Sequence, residues 1–180
     1  PILVTGELND VGSSLRKNVA NSYRRGIELI WTGEVLNKVL LETNLTLSKN
    51  KIKDFDDVYF NYDNNTAVKE TYHLTDIAYS QNVICFVGIT DKHIDNMYIT
   101  LNCKYVGKQY LDNTFNNNRK ISPSSTINLL VQKTFKLKNS TIIVIKGAVN
   151  NLGSIYYSNN GYTFKYVSSG QLVVENFYYP

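Results

Sequence analysis

Side chains that could carry acid–base or metal chemistry are few in this sequence. The chain of 180 residues contains two histidines, His73 and His93, and no Gly-x-Ser-x-Gly motif. A hydrolytic triad requires a base beside its nucleophile, and neither histidine has such a neighbour along the chain. His93 and Asp95 have the spacing of two ligands on one side of an extended segment, but two ligands do not make a metal site, and residues 91–96 have the composition of a turn. The sequence therefore predicts no catalytic triad, no metal and no other cofactor.

Carboxylates are the second candidate for chemistry, because a glycoside hydrolase needs two of them across the scissile bond. The acids that could form such a pair are scattered along the chain: Asp54, Asp56, Asp57, Glu70 and Asp112. Lys51 and Lys53 lie beside the first three, which is the pattern of solvated charges in a turn. The sequence also lacks a glycine-rich phosphate loop. We therefore expect no enzyme, while a polysaccharide depolymerase with a dispersed carboxylate pair remains an alternative.

Tyrosine and asparagine offer a different chemistry, namely recognition of a ligand without its conversion. Tyrosine presents an apolar ring with a polar tip, and asparagine offers donors and an acceptor, which suits sugars. Residues 110–119 are the first choice for a binding loop, because they combine aromatic rings, amides and a cation without a periodic pattern. The predicted binding residues are Tyr110, Asp112, Asn113, Phe115, Asn116 and Arg119 in that loop, and Tyr157, Asn160 and Tyr162 nearer the C-terminus. The alternative is that tyrosine fills strands and asparagine fills turns, as in any asparagine-rich β protein.

The elements that would position these side chains are almost all strands. Residues 44–48 alternate between polar and apolar, which is the period of a strand with one buried face. Residues 82–90, an unbroken apolar run, and residues 97–106, which alternate, are separated by a turn and predict a hairpin. Asn160-Gly161 between two strand-like segments predicts a second hairpin, because both residues tolerate positive φ. About eight to ten such strands, with no internal repeat, predict an all-β fold: an antiparallel β-sandwich of the jelly-roll type.

The N-terminal segment differs from the rest of the chain. Apolar residues recur at spacings of four over residues 11–23, with serines near the start and Gly26 after the end, which predicts a short amphipathic helix. So thin an apolar stripe buries little by itself, and the helix needs a partner. It would either lie against the sandwich or form a neck where three copies of the chain meet. The predicted organisation is a neck or linker over residues 1–26 and one β-sandwich domain over residues 27–180.

Composition bears on several other classes of protein. Apolar residues make up 43% of the chain and charged residues 19%, as in a folded globular domain. The net charge of +4 is spread along the sequence, so we expect no nucleic-acid partner. No apolar run is long enough to span a membrane, so we expect no membrane insertion. Cys85 and Cys103 lie in apolar strand-like segments and are interpreted as buried free thiols, with a disulfide left open.

Short motifs in a fixed order carry a family resemblance. They are LIWTG at residues 29–33, LTLS at 45–48, FDDVYF at 55–60, and a glycine-containing segment followed by a final strand over 156–179. This order resembles the β-sandwich tip domains of bacteriophage tail fibres and baseplate receptor-binding proteins. The resemblance covers residues 27–180, with a middle that has no counterpart. An apolar insertion at residues 35–42 departs from the family pattern.

The resemblance implies a non-enzymatic head that attaches a virion to its host. Such a head is a homotrimer that binds a bacterial cell-surface polysaccharide or outer-surface protein, and other tail or fibre proteins adjoin its N-terminal side. The expected location is the virion tail, with no membrane-spanning segment. One alternative is a lectin-like carbohydrate-binding module of a secreted enzyme, which would be a monomer. The others are the depolymerase considered above and a purely structural sandwich in a viral particle.

Overall fold

Nearly all regular structure in this protein is β-strand. The computed structural model describes residues 2–8, 14–19 and 21–180. The strands are β1 Ile2–Leu8, β2 Ser14–Asn18, β3 Ser22–Leu36, β4 Val39–Asn61, β5 Thr66–Asp76, β6 Val83–Asp91, β7 Met97–Val106, β8 Gln109–Tyr110, β9 Lys120–Ile121, β10 Ser124–Lys136, β11 Ile142–Val149, β12 Asn160–Ser168 and β13 Gln171–Tyr179. A 3-10 turn, Lys138–Ser140, separates β10 from β11.

The main sheet is built around β4, which is 23 residues long. The strand order is β11-β10-β7-β6-β4-β12-β13, and β3 and β5 also pair with β4. Residues 39–47 of β4 lie between β3 and β6, while residues 51–61 pair with β5. At its end β4 runs parallel to β12, where Tyr166 pairs with Phe60. A single strand therefore belongs to both halves of a curled, mixed sheet.

Buried side chains gather in one part of the molecule, which we call the compact region. It comprises residues 50–55 of β4, residues 75–80 at the end of β5 and beyond, and residues 109–121 with β8 and β9. Among the described residues, Thr90 is the one buried side chain that lies elsewhere. The short β8–β9 ladder closes residues 109–121 into a loop, which contacts β4 through Phe115 and Lys51 and the segment after β5 through Asn113 and Ala78.

The apolar core of the compact region consists of Ile52, Phe55 and Ile77. Ile52 and Phe55 would point to opposite faces of a regular strand, since their separation is odd. Asp54 between them has a φ of 55°, which breaks the alternation and allows both side chains to reach the core. Aspartate is among the residues that tolerate this left-handed conformation.

The remaining strands of the sheet form what we call the open sheet: β3, residues 39–47 of β4, β6, β7, β10 and β11. Residues paired across these ladders share a face. One row across the six strands is Gly33, Leu41, Ile89, Leu101, Leu129 and Val149. The next row, on the other face, is Thr32, Glu42, Gly88, Asn102 and Asn128. One face of the open sheet is thus apolar. The other, which we call the polar face, mixes polar residues with apolar ones such as Ile30 and Leu130.

The predicted fold class is confirmed, because the structure is an all-β, sandwich-like arrangement. The hairpin predicted from residues 82–90 and 97–106 is confirmed as β6 and β7. Cys85 and Cys103 are free thiols. The predicted boundary between residues 26 and 27 falls inside β3, and the division into neck and head stays a prediction.

The helix predicted over residues 11–23 is wrong where the structure describes that segment. Residues 14–18 form β2, which pairs with β1, and β3 begins at Ser22. Residues 11–13 and 20 lie outside the described residues. A spacing of four explains the error, since residues i and i+4 share one face of a helix and also one face of a strand.

The hairpin predicted at Asn160-Gly161 is also wrong, because both residues belong to β12. The chain turns instead at Ser169-Gly170, between the paired residues Ser168 and Gln171. The φ values of Ser169 and Gly170 are 55° and 71°, and positive φ at both central residues is the requirement of a type I′ turn. Two sites in one segment thus had suitable turn chemistry, and pairing of β12 with β13 selects the second.

Candidate recognition cleft

A shallow cleft lies where the polar face of the open sheet meets the compact region. It consists of two adjoining hollows with volumes of about 280 and 310 Å³, which share Ile121, Ser122, Tyr157 and Ser158. The polar face supplies Ile84, Lys104, Val106, Ser124 and Thr126, and the compact region supplies Gln109 and Ile121. The third wall is the end of the connection between β11 and β12, with Tyr156, Tyr157 and Ser158.

Backbone and side-chain hydrogen bonds fix that third wall at both ends. Asn151 binds Ile155 twice: its Nδ2 donates to the carbonyl oxygen at 2.9 Å, and its Oδ1 accepts from the backbone nitrogen at 3.1 Å. At the other end the backbone nitrogen of Asn159 donates to the carbonyl oxygen of Tyr179 at 2.9 Å. The two tyrosines of the wall are therefore presented by a connection that is tied to the sheet.

Aromatic rings stand at the mouth of the cleft. The side chain of Tyr156 is fully exposed, with a relative exposure of 101%, and Tyr178 is 44% exposed. Tyr157 is half-buried beside them. An exposed tyrosine face contacts the C–H face of a sugar ring while its hydroxyl remains available for hydrogen bonds. This part of the cleft can therefore hold a saccharide by contact with an aromatic surface.

The polar lining consists of hydroxyls, amides and amines. Ser122, Ser124 and Thr126 contribute hydroxyls, and Gln81 donates to Gln109 at the cleft floor. Lys104 and Lys120 are the cationic residues of the lining. Among the described residues that line either hollow there is no aspartate, glutamate or histidine. The cleft thus offers donors and positive charge, and its described lining lacks the imidazole or carboxylate that most often acts as a general acid or base.

The predicted binding loop at residues 110–119 is mostly packed. Tyr110, Asn113 and Arg119 are only 3–5% exposed. Arg119 Nη1 lies 2.7 Å from Asp112 Oδ2, and Asn113 Oδ1 accepts from the backbone nitrogen of Ala78 at 2.8 Å. We therefore expect these residues to shape the loop rather than to touch a receptor.

Two predicted residues of the same loop lie at the surface. Phe115 is 44% exposed, with its ring 5.0 Å from that of Tyr110 and 4.7 Å from Lys51 Nζ. Asn116 is half-buried, and its Oδ1 accepts from the backbone nitrogen of Asn118 at 2.9 Å. The loop adjoins the cleft, since the β8–β9 ladder at its base carries the cleft residues Gln109, Lys120 and Ile121.

The three predicted residues near the C-terminus divide between two places. Tyr157 lines the cleft. Asn160 is exposed, and its Oδ1 accepts from the backbone nitrogen of Gly161. Tyr162 stacks on Phe177, with ring centroids 4.9 Å apart, and belongs to an aromatic cluster along β12 and β13. Of the nine predicted site residues, the structure thus brings Tyr157 into the lining of the cleft.

Several cleft residues were missed by the sequence prediction. Lys104, Ser122, Ser124 and Tyr178 come from segments that are far apart along the chain. No local pattern marks them, because each lies in or beside a strand whose pairing partner decides its position. The pair Tyr156-Tyr157 followed by serine and asparagine was the one available signal.

The carboxylates considered for glycoside hydrolysis include one pair that the fold brings together. Asp57 and Glu70 face each other across β4 and β5, and Lys165 lies between them, 2.9 Å from Asp57 Oδ2 and 2.5 Å from Glu70 Oε2. The hydrogen bond from Lys165, with further ones from Tyr72 and Tyr59, lowers the pKa of Glu70 to about 2. Glu70 is therefore ionised and cannot act as a proton donor near neutral pH.

The histidines make local contacts with carboxylates. His93 Nδ1 lies 2.6 Å from Asp91 Oδ1, and His73 Nδ1 lies 3.1 Å from Asp54 Oδ1, in both cases on the surface. The described residues contain no group of three histidine, cysteine or acidic side chains that could hold a metal ion. Nor does any helix in the described part of the chain have the length and apolar character needed to cross a membrane.

No protein-family model, curated protein or solved structure matches the chain at a significant level. The site can therefore be interpreted only through its own residues and geometry.

Proposed function

We propose that this protein is a non-catalytic recognition head that binds a bacterial cell-surface polysaccharide or outer-surface protein through the cleft. The observation that carries the proposal is the lining of the cleft, where exposed tyrosines, hydroxyls, amides and two lysines occur without an acid or an imidazole. Such a surface suits the binding of saccharides, and on this proposal it holds them without cleaving them. Carbohydrate is favoured over protein because the cleft is shallow and exposed tyrosine rings stand at its mouth.

The sequence resemblance gives this binding activity its biological setting. The motifs at residues 29–33, 45–48 and 55–60 occur in the order found in phage tail-fibre and baseplate tip domains. On this proposal the protein is the distal head of a tail fibre or baseplate structure and attaches the virion to its host. Other tail or fibre proteins would adjoin its N-terminal side.

Substitution of Tyr156 tests the binding site. We expect Tyr156→Ala to weaken adsorption of the purified protein to host cells or to isolated capsule by at least about tenfold, because an exposed aromatic anchor contributes about 2 kcal/mol or more. Thermal stability should not change, since the side chain is fully exposed. Equal binding by Tyr156→Ala and the wild-type protein would contradict the proposal.

The matched control is Tyr62→Ala. Tyr62 is 65% exposed and packs against Phe60 and Tyr166, away from the residues that line the cleft. This variant should bind like the wild-type protein. If both substitutions weaken adsorption equally, binding depends on exposed tyrosines in general and not on the cleft.

A depolymerase is the second candidate, and the convergence of Asp57 and Glu70 is the observation that favours it. Incubation of the protein with host capsule, followed by an assay for new reducing ends, addresses this activity directly. We expect no release. Release that Glu70→Gln abolishes would establish the depolymerase and displace the proposal of a purely binding protein.

A further inference from the structure

The apolar face of the open sheet is uncovered in the single chain. Ile89 and Leu101, in adjacent strands at its middle, are 46% and 45% exposed, and Trp31 is 48% exposed. Towards the two edges Leu29 and Ile145 are each 58% exposed. An antiparallel sheet that has one polar and one apolar face normally packs the apolar face on a second layer. No segment among residues 2–8, 14–19 and 21–180 forms such a layer over this face.

The total accessible surface points to the same conclusion. The chain exposes 12056 Å² at a mass of 20.5 kDa. A compact monomer of this mass exposes about 8,900 Å² by the usual scaling of surface with size. The surface is thus about a third larger than a self-contained globular protein would have, and an uncovered sheet face contributes to this excess.

The composition of the face resembles that of a buried interface. Within the open sheet, the charged residues that lie on the apolar side are Arg25, Asp91 and Lys133, and all three lie away from its centre. Arg25 pairs with Lys49, beyond the part of β4 that belongs to the open sheet. Asp91 is the last residue of β6, and Lys133 pairs with Met97, the first residue of β7. Depletion of charge at the centre with charge at the rim is typical of a protein–protein contact.

The size of the face suits a second copy of the same chain. Six strands about 4.8 Å apart, with about nine residues each at about 3.3 Å per residue, cover roughly 850 Å². A stable interface buries about 800 Å² on each partner. Because the centre of the face carries no charge, two copies can meet there without bringing like charges together, and a symmetric contact requires such self-complementarity.

We infer that copies of this chain associate through the apolar face of the open sheet, so that each copy supplies the layer its neighbour lacks. The inference goes beyond the proposed function, since it concerns assembly and would hold for any ligand. It also implies that the ligand site lies away from the contact between copies, because the cleft is built on the opposite, polar face. Association would leave the clefts on the outside, where several can engage one surface together.

The sole tryptophan reports directly on this contact in the unmodified protein. Trp31 lies on the apolar face, where its ring packs over Gly33. In an assembly we expect blue-shifted Trp31 emission, slow quenching by acrylamide, and a mass in solution of at least two chains by light scattering. A single-chain mass together with readily quenched Trp31 fluorescence would overturn the inference.

A pair of variants on β7 separates association from folding. Leu101 and Tyr98 have similar exposures of 45% and 42%, but they lie on the apolar and polar faces respectively. We expect Leu101→Asp to convert the assembly to single chains and to move Trp31 emission to the red. Tyr98→Asp should keep the mass of the wild-type protein.

The outcomes of this experiment are distinct. If Leu101→Asp retains the wild-type mass, or if both variants dissociate equally, the apolar face is not the contact. If Leu101→Asp fails to fold, the acrylamide quenching of Trp31 and the solution mass of the wild-type protein still show whether copies of the chain associate. Because the cleft lies on the other face, a failed dissociation test leaves the Tyr156→Ala binding test unaffected. A failed binding test likewise leaves the dissociation test unaffected.

Discussion

The compact region and the open sheet stabilise their backbone in different ways. In the compact region six hydrophobic residues and eight polar or charged residues are buried. Polar partners such as Asp112 with Arg119, and Asn113 with the backbone of Ala78, hold this region as much as its small apolar core does. In the open sheet most of the apolar residues remain half-exposed. Backbone ladders connect the strands, with a few side-chain hydrogen bonds between neighbours, such as that from Asn128 to Asn102.

The difference shows that one chain contains a part whose side chains are mostly buried and a part with a wide exposed apolar face. Buried polar groups with satisfied partners need nothing further. A wide apolar face in water needs a partner that covers it, because exposed apolar patches beyond a few hundred Å² mark interaction sites. The cleft lies between the two parts, and it takes residues from both.

The largest expected effect comes from breaking the core of the compact region. Ile52 has no exposed surface, and we expect Ile52→Ala to lower the free energy of unfolding by about 2–5 kcal/mol, because it leaves a cavity. Urea denaturation followed by circular dichroism measures this loss. Ile30→Ala, at a position on the polar face that is 70% exposed, is the matched control and should change stability by less than about 0.5 kcal/mol. Similar losses at both positions would remove the distinction between the regions.

A smaller effect concerns acid and the ion pairs beside the compact region. The pKa of Glu70 is lowered from 4.5 to about 2, chiefly by Lys165. Its contribution to stability is therefore fully present above about pH 4.5 and is lost as the pH falls towards 2. We expect the melting temperature of the wild-type protein to fall over this range more steeply than that of Glu70→Gln. Glu28→Gln, at an exposed position on β3, should follow the wild-type curve.

The smallest expected effect concerns the two cations of the cleft. Lys104→Gln or Lys120→Gln should weaken binding to a polysaccharide that carries acidic groups by about two- to fivefold, since surface charge interactions contribute up to about 1 kcal/mol. Added salt should reduce wild-type binding in the same direction. Lys136→Gln, at the far end of β10 from the cleft, serves as the control. Salt-independent binding would assign recognition to the tyrosines alone.

The sequence predicts the open sheet better than it predicts the compact region. Alternation in residues 44–48 and 97–106 reports which face each residue takes, because a strand period is a local property. The burial of Tyr110, Asn113 and Arg119 depends on contacts with Ala78 and Asp112 that no local pattern encodes. A loop rich in asparagine and aromatic residues was therefore predicted to bind a ligand, and most of it is packed in the structure.

The cleft illustrates the same limit for function. Tyr157 was predicted because aromatic and amide residues adjoin it in the sequence. Lys104 and Ser122 could not be predicted, since they reach the cleft only through the pairing of β7 with β10 and of β8 with β9. The hairpin at Ser169-Gly170 shows that suitable turn residues limit where a chain can turn, while strand pairing decides which of those positions is used.

The continuity of β4 has a mechanical consequence. Its 23 residues trace about 75 Å of backbone at about 3.3 Å per residue, from the start of the open sheet to the ladder with β12. A load applied near one end passes along the covalent bonds of a single strand to the other end, through the irregular position at Asp54. We expect stretching of the molecule along β4 to be resisted by the pairing of that strand on both sides.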